Sequence, residues 1–283
     1  MKIAVVGWGY VGAATGLGLK DHHDILAYDP YKNTVHYSIN VLRELPVLSE
    51  LAKIKQVYSV EELKEADLIF VCLPTPTNEN GIDLSFIEKF LEDANQRLAG
   101  GIIVIRSTIP PTTTKNFQEK YPKFKFVHNP EFFREKTPVS DFLNPDRIII
   151  GGSHEDAMKI VQEVYKEFEC PKIITDSTTS EMIKYASNIF LANKISFFNE
   201  MHKVAQIVGA DSKKISEAVA LDRRIGHYGV YGGKPYGGTC LPKDTDGFIH
   251  FIETRLKHTP HMLKATKLVN DIFRQETGEG RKL

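Results

Sequence analysis

The chain has 283 residues, with Lys+Arg and Asp+Glu both at 36, so its formal net charge is zero. A length prior of roughly 150 residues per domain predicts two domains, with enough chain to bury a substantial core. The charge balance argues against nucleic acid or an anionic membrane as the main partner. No apolar run approaches the ~20 residues of a membrane span. Three scattered cysteines, Cys72, Cys170 and Cys240, fit no metal-ligand spacing and suit a reducing cytosol. These features predict a soluble, cytoplasmic protein with no metal.

Ile3 to Val6 is a short apolar run, followed by GWGYVG at 7–12 and the Ala/Leu-rich stretch Ala13 to Leu19. The order is strand, glycine turn, helix, as a dinucleotide fingerprint requires, and the glycines break the run too early for a signal peptide. Gly7 permits the tight turn, Gly9 lets backbone approach a pyrophosphate, and Gly12 lets helix and strand pack closely. The new helix turns unpaired N–H groups and its positive dipole end toward that pyrophosphate. A second strand, Ile25 to Tyr28, ends in Asp29, placed to bind ribose hydroxyls and to repel a 2′-phosphate. NAD is therefore expected rather than NADP.

The α/β alternation continues. Glu61 to Glu65 reads as helix, Asp67 to Leu73 as a parallel-type strand, Ser85 to Leu98 as helix and Ile102 to Ile105 as strand. Lys125 to Val127, Arg147 to Ile150 and Lys172 to Ile174 read as further strands, with a helix over His154 to Glu167. This rhythm predicts an α/β fold opening with a Rossmann-type, doubly wound parallel sheet over 1–176, whose ligands bind at the strands' carboxyl ends. Thr75, Pro76, Ser107, Thr108, Glu131 and Glu135 lie just past such ends. Cys72, inside an apolar strand, and Cys170, at a loop without chemical companions, read as packing residues.

From Ser177 the pattern turns helical and predicts an all-helical second domain over 177–283. A long helix runs to about Val208 and is closed by Gly209. Within it Lys184 and Asn188 share a face, with Glu181 one turn earlier; taken alone, that polar stripe reads more readily as a solvated face than as a site. Asp211 to Leu221 is another helix. A glycine- and tyrosine-rich loop follows, and then Thr245 to Glu276 is helical with a break near Pro260. The apolar positions Met262, Leu263, Leu268, Val269, Ile272 and Phe273 suit packing or a dimer interface. The last residues, GEGRKL, read as a frayed end.

The loop ends in YGGTCLPKD at 236–244. Gly237 and Gly238 allow close backbone approach, Cys240 follows them, and Lys243 and Asp244 lie within one helical turn of the thiol. A thiolate is a nucleophile and a neighbouring cation favours it. Free cysteines are also among the most buried residue types. On these residues alone the stretch reads equally as a nucleophile loop or as a glycine turn with a buried cysteine.

GWGYVG, LPTPT at 73–77, RSTIPP at 106–111, NPEFFRE at 129–135, PDRIIIG at 145–151, EMIKYASNIFLANKISFFNE at 181–200, DRRIG at 222–226 and YGGTCLPKD occur in this order. Together they closely resemble the UDP-glucose/GDP-mannose dehydrogenase family over nearly the whole chain. The resemblance implies a four-electron oxidation of a nucleotide sugar's C6 hydroxyl to a carboxylate by two NAD in succession, with UDP-glucose the expected substrate. It implies Cys240 as the nucleophile, trapping the aldehyde as a thiohemiacetal that becomes a thioester. Lys184 then stabilises an alkoxide or oxyanion or acts as base, Asn188 positions the sugar hydroxyl, Asp244 and Thr108 hold a water, and Glu131 assists thioester hydrolysis. The resemblance assigns cofactor contacts to Gly7, Gly9, Tyr10, Val11, Gly12, Asp29, Pro74, Thr75, Ser107, Thr108, Glu135 and Lys243. Substrate contacts fall to Glu131, Phe132, Phe133, Arg134, Lys184, Asn188, Tyr236, Gly237 and Cys240. Arg224 matches an arginine that reaches a neighbouring subunit's site, which implies a homodimer through the helical domain.

The sequence departs from the family's pattern at two points. The chain stops after what reads as the connecting helix, giving a member expected to lack the C-terminal nucleotide-sugar-binding domain. Thr112 also stands where a glycine usually follows the Pro-Pro pair. Two competing readings remain: a two-electron 3-hydroxyacid or 6-phosphogluconate type dehydrogenase, which has no use for Cys240, and a non-catalytic NAD or nucleotide-sugar binding relative.

Overall fold

The computed structural model describes residues 1–31, 39–44 and 54–278. Its opening elements are β1 (Lys2–Val6), α1 (Tyr10–Leu19), β2 (Asp24–Tyr28), α2 (Ile39–Glu44), β3 (Ile54–Gln56) and β4 (Leu68–Val71). A short hairpin, β5 (Thr77–Asn78) and β6 (Gly81–Ile82), precedes α3 (Ser85–Arg97), β7 (Gly101–Ile105), α4 (Thr113–Lys120) and β8 (Phe124–His128). Then come α5 (Pro138–Leu143), β9 (Ile148–Gly152), α6 (Glu155–Val164), β10 (Lys172–Thr175) and the long α7 (Ser177–Val208). Two compact units result: Met1–Pro76 with Asp83–Lys184, and Thr77–Ile82 with the chain from Tyr185 onward.

The first unit is the expected Rossmann-type doubly wound sheet, with eight strands among the described residues in the order β10-β9-β8-β7-β4-β1-β2-β3. Neighbours pair in parallel except β8 with β9, which are antiparallel. β1, β4, β7 and β9 are apolar along almost their whole length because both faces are covered. Ile3 and Val5 pack with Trp8, Leu17 and Phe142 on one face, while Ala4 and Val6 pack with Phe90, Leu91 and Phe124 on the other. Strand order reverses between β1 and β4, so the ligand crevice of such a sheet opens there. The strand predicted over Asp67 to Leu73 is shorter than expected. Cys72 N–H still reaches Val6 O at 2.7 Å, and Pro74 then ends the ladder. α2, β3, α4, α5 and the hairpin have no counterpart in the predicted elements.

In the second unit α7 continues to Gly209, whose φ of 72° closes it. α8 (Ser212–Ala220) is capped by Asp211, which accepts the Lys213 and Lys214 N–H groups at 3.0 and 3.1 Å. α9 (Cys240–Arg255) and α10 (His261–Thr277) flank the predicted break at Pro260. α9 corrects one expectation, since the helix begins at Cys240 rather than Thr245. Pro242 lies in its first turn, where a missing N–H costs no intrahelical bond. Tyr185 stacks on Phe248 with ring centroids 4.5 Å apart, and Ile189 and Ile82 join them. The hairpin packs so closely that a Cβ on Gly247 would come within 2.5 Å of Ile82. Gly278 ends α10; the remainder of the predicted frayed end, 279–283, lies outside the described residues.

Candidate active site

Gly7 has a φ of 87°, and a Cβ there would come 2.8 Å from Cys72 O, which joins the fingerprint to the end of β4. A Cβ on Gly12 would sit 1.9 Å from Gly7 O. Gly9 differs: a Cβ on it would meet nothing within 4 Å, and no side chain caps α1, whose N-cap it is. That open, uncapped helix start suits a pyrophosphate. Asp29 accepts the Trp8 N–H at 3.0 Å and the Tyr31 N–H at 3.0 Å, tying the fingerprint turn to the end of β2. Tyr10 and Val11 are half-buried at the start of α1. Pro74 is exposed, and Thr75 Oγ1 donates to Thr108 O at 2.8 Å, tying the β4 exit to the β7 exit. Ser107 Oγ donates to Leu73 O at 2.6 Å across the same pair. These features fit NAD: a glycine turn, a helix start whose N-cap is a glycine and a carboxylate at the end of β2.

Beyond β8 the chain turns through Asn129 and Glu131. Glu131 is 6 % exposed, and its Oε2 accepts the Phe133 N–H at 2.6 Å. Lys184, also buried, donates to Glu131 O at 2.5 Å and to its Oε1 at 3.0 Å. Lys184 Nζ also lies 5.3 Å from the Phe132 ring centroid. Arg134 is exposed and forked onto Asp141, and Glu135 is exposed. Two residues outside the expected set complete this neighbourhood. Glu181 accepts from Thr112 N–H at 2.6 Å, Thr114 N–H at 2.8 Å and Thr114 Oγ1 at 2.6 Å, holding the start of α4; burial pushes its carboxyl up to about 7. His128 Nδ1 lies 2.8 Å from Ser180 Oγ; burial and the Lys184 charge push the imidazole down to about 3. For His128 the legible signal was a polar residue closing the apolar strand FKFVH; Glu181, after Ser177-Thr178-Thr179-Ser180, read only as part of the polar stripe with Lys184. Cys72 packs against the sheet core, and burial pushes its thiol up to about 12. Burial also raises Cys170.

In the second unit Asn188 Nδ2 donates to Asp244 Oδ2 at 2.6 Å, and Lys243 Nζ donates to Asp244 Oδ1 at 2.6 Å. Asp244 is 1 % exposed, a buried carboxylate with a donor on each oxygen. Cys240 is half-buried as the first residue of α9, one turn before Asp244. The loop before it is anchored from several sides. Asn199 accepts the Gly233 N–H and donates to Lys234 O, each at 2.8 Å. Asn270 accepts the Tyr236 N–H at 2.7 Å, and Arg274 donates to Tyr236 O at 3.0 Å. Tyr236 is buried, and burial pushes its phenol up to about 12. Gly237 is exposed, with open space where a Cβ would be. Arg224 is exposed and forked onto Asp222. Among the described residues no group of three or more His, Cys, Asp or Glu gathers as a metal site, and no helix is long and apolar enough to cross a membrane.

The NAD binding domain of the UDP-glucose/GDP-mannose dehydrogenase family matches residues 1–169, and the central domain of that family matches residues 178–272. A UDP-glucose 6-dehydrogenase of Rickettsia bellii is 35% identical over 267 residues, 86% of this chain and 61% of the relative. One of Bacillus subtilis is 34% identical over 296 residues, 96% of this chain and 66% of the relative. The structure of a UDP-glucose dehydrogenase from the hyperthermophilic archaeon Pyrobaculum islandicum superposes with a TM-score of 0.88 at 31% identity, over 98% of this chain and 71% of that one. The chain therefore spans less than two thirds of the length of the Rickettsia relative. With both domains matched in the order in which the motifs run, the chain belongs to the UDP-glucose/GDP-mannose dehydrogenase family, and its first half is that family's NAD-binding domain.

Proposed function

We propose that this chain carries the NAD-dependent, four-electron oxidation of a nucleotide sugar's C6 hydroxyl to a carboxylate, with UDP-glucose as substrate. The observation that carries the reading is Asp244, buried between Asn188 and Lys243 one helical turn after Cys240. A two-electron dehydrogenase needs no thiol there. The names of the relatives support the choice of sugar. In this reading residues 1–176 bind the cofactor, and 177–283 carry the cysteine loop.

Bound NAD supplies the hydride acceptor, one molecule for each oxidation. Cys240 sulfur adds to the aldehyde carbon and keeps it in place as a thiohemiacetal; loss of a second hydride gives the thioester. Water cleaves the carbon–sulfur bond, its oxygen enters the carboxylate, and the thiol is regenerated. The balance is two NADH and three protons released per water consumed. Asn188 positions the hydroxyl, and Asp244 and Thr108 order the water. Glu131 assists hydrolysis. Lys184 donates to two Glu131 oxygens, which suits an ammonium that stabilises an oxyanion better than a base. The backbone of Phe132 to Glu135 follows the sugar nucleotide.

The second unit leaves Phe190, Phe197, Val204, Ile207 and Val208 of α7 exposed, beside a groove of about 610 Å³ that Arg224 and Ile225 also line. A second copy covers that face in the proposed homodimer. The enzyme works in the cytoplasm, where NAD and sugar nucleotides are found. Counting NADH against uronate product tests the reading. Two NADH per product support it, and one per product, or none with NAD bound, overturns it.

A further inference from the structure

Arg106 follows β7 directly, and its side chain is buried at 5 % exposure. Its Nη1 donates to Asn129 Oδ1 at 2.5 Å and to the Tyr165 hydroxyl at 2.8 Å. Tyr165 donates onward to the same Asn129 oxygen at 2.7 Å, and Asn129 Nδ2 donates to Ile149 O at 2.7 Å. Around the guanidinium stand the rings of Phe133, Phe142 and Phe70, with centroids 5.2, 5.4 and 5.8 Å from Cζ. Both hydrogen-bond acceptors are neutral. A buried cation held this way is costlier than an apolar side chain of equal volume, so packing alone does not account for it.

What Arg106 grips has a common feature. Asn129 and Phe133 bracket Glu131, whose main-chain oxygen and Oε1 hold the Lys184 ammonium and whose Oε2 is fixed by the Phe133 N–H. Asn129 is tied down again through its own N–H, which donates to Ile105 O at 2.9 Å. We infer that Arg106 is a positioning residue for the oxidation: by clamping Asn129 and the Phe133 ring it fixes the 129–133 loop, so that Glu131 presents both oxygens to Lys184. This rests on the reading that Lys184 and Glu131 serve the oxidation, but the Lys184–Glu131 geometry is measurable without turnover.

The test compares R106M, which keeps the volume and removes charge and donors, with R106K, which keeps the charge. The acylation rate of Lys184 by acetic anhydride is read by peptide mass spectrometry at fixed pH, relative to exposed Lys213. In R106M it rises about tenfold or more, the scale of a lost charge-assisted hydrogen bond, and R106K recovers most of the parent value. The kcat of R106M falls about 10²-fold with KM little changed, as a misplaced catalytic group requires. Y165F, which removes only the shared phenol, shifts the acylation rate the same way by less and serves if R106M does not fold. A folded R106M or Y165F whose Lys184 is acylated at the parent rate overturns the inference. A parent without turnover, with acylation shifted as described, overturns the proposed function and leaves standing only that Arg106 positions Glu131 against Lys184.

Discussion

Asn188 Nδ2 and Lys243 Nζ lie 2.6 Å from opposite oxygens of Asp244, a carboxylate almost wholly removed from water. Replacing one oxygen by an amide sets donor against donor at one of these contacts. D244N is expected to lose about 2 kcal/mol of stability, the scale of a buried hydrogen bond to a charged group. The loss reads as a lower urea midpoint at unchanged m. NADH formation is expected to fall at least about 10²-fold. A variant with parent midpoint and parent rate contradicts the role given to Asp244.

Two buried groups give opposite pH dependences. The His128 imidazole is pushed down to about 3 from 6.5, so the unfolded chain binds its proton more tightly. Its contribution is complete above pH ~6.5 and is lost as pH falls, by roughly 1 kcal/mol between pH 7 and 5.5. Glu181 is pushed up to about 7 from 4.5, so the folded chain binds its proton more tightly. Its contribution is complete below pH ~4.5 and is lost as pH rises to about 7, by roughly 2–3 kcal/mol. Urea titrations of H128N and E181Q against the parent separate the two. The gap between parent and E181Q shrinks as pH rises from 5 to 7.5, and that between parent and H128N grows over the same rise. A gap independent of pH contradicts the corresponding assignment.

Thr112 sits at a φ of 78°, in the left-handed region, just before α4. A β-branched residue there costs about 1–2 kcal/mol, offset in part by the extra freedom glycine has in the unfolded chain. T112G is expected to stabilise by roughly 0.5–1 kcal/mol, raising Tm by about 1–2 °C. The Thr112 N–H bond to the Glu181 carboxylate survives the change because its donor is the main chain. A fall in Tm contradicts this account of the turn.

Trp8 is the protein's single tryptophan and lies inside the glycine fingerprint, with its N–H on Asp29. NADH binding is therefore expected to quench Trp8 fluorescence and sensitise the nicotinamide. NADPH should bind at least about tenfold more weakly, a penalty well within the repulsion between two like charges at a protein surface. D29N narrows that gap. Equal affinities for the two dinucleotides contradict the placement of the ribose at Asp29.

Much of the first unit was legible in the sequence, because strands covered on both faces write themselves as unbroken apolar runs such as IIVI before Arg106 and IIIGG after Arg147. The glycines at 7, 9 and 12 were legible because each answers a different steric demand. The hairpin at Thr77–Ile82 was not, since its register depends on packing against Gly247, far along the chain. The helix start at Cys240 was hidden by Pro242, which reads as a breaker until its place in the first turn is known. Lys184 and Asn188 read alone as a solvated stripe. Only their partners, Glu131 and Asp244, mark them as buried. Arg106 was visible only as the first residue of RSTIPP, because a basic residue after a strand carries no local sign that its surroundings are three phenyl rings.

The most direct test of the account is the fate of the Cys240 sulfur. Incubation of an E131Q variant with NAD and UDP-glucose, followed by rapid quench and intact-mass and peptide analysis, is expected to show a glucuronyl thioester on Cys240 and two NADH per adduct. No adduct on Cys240, together with a C240A protein that still forms uronate at the parent rate, would contradict it.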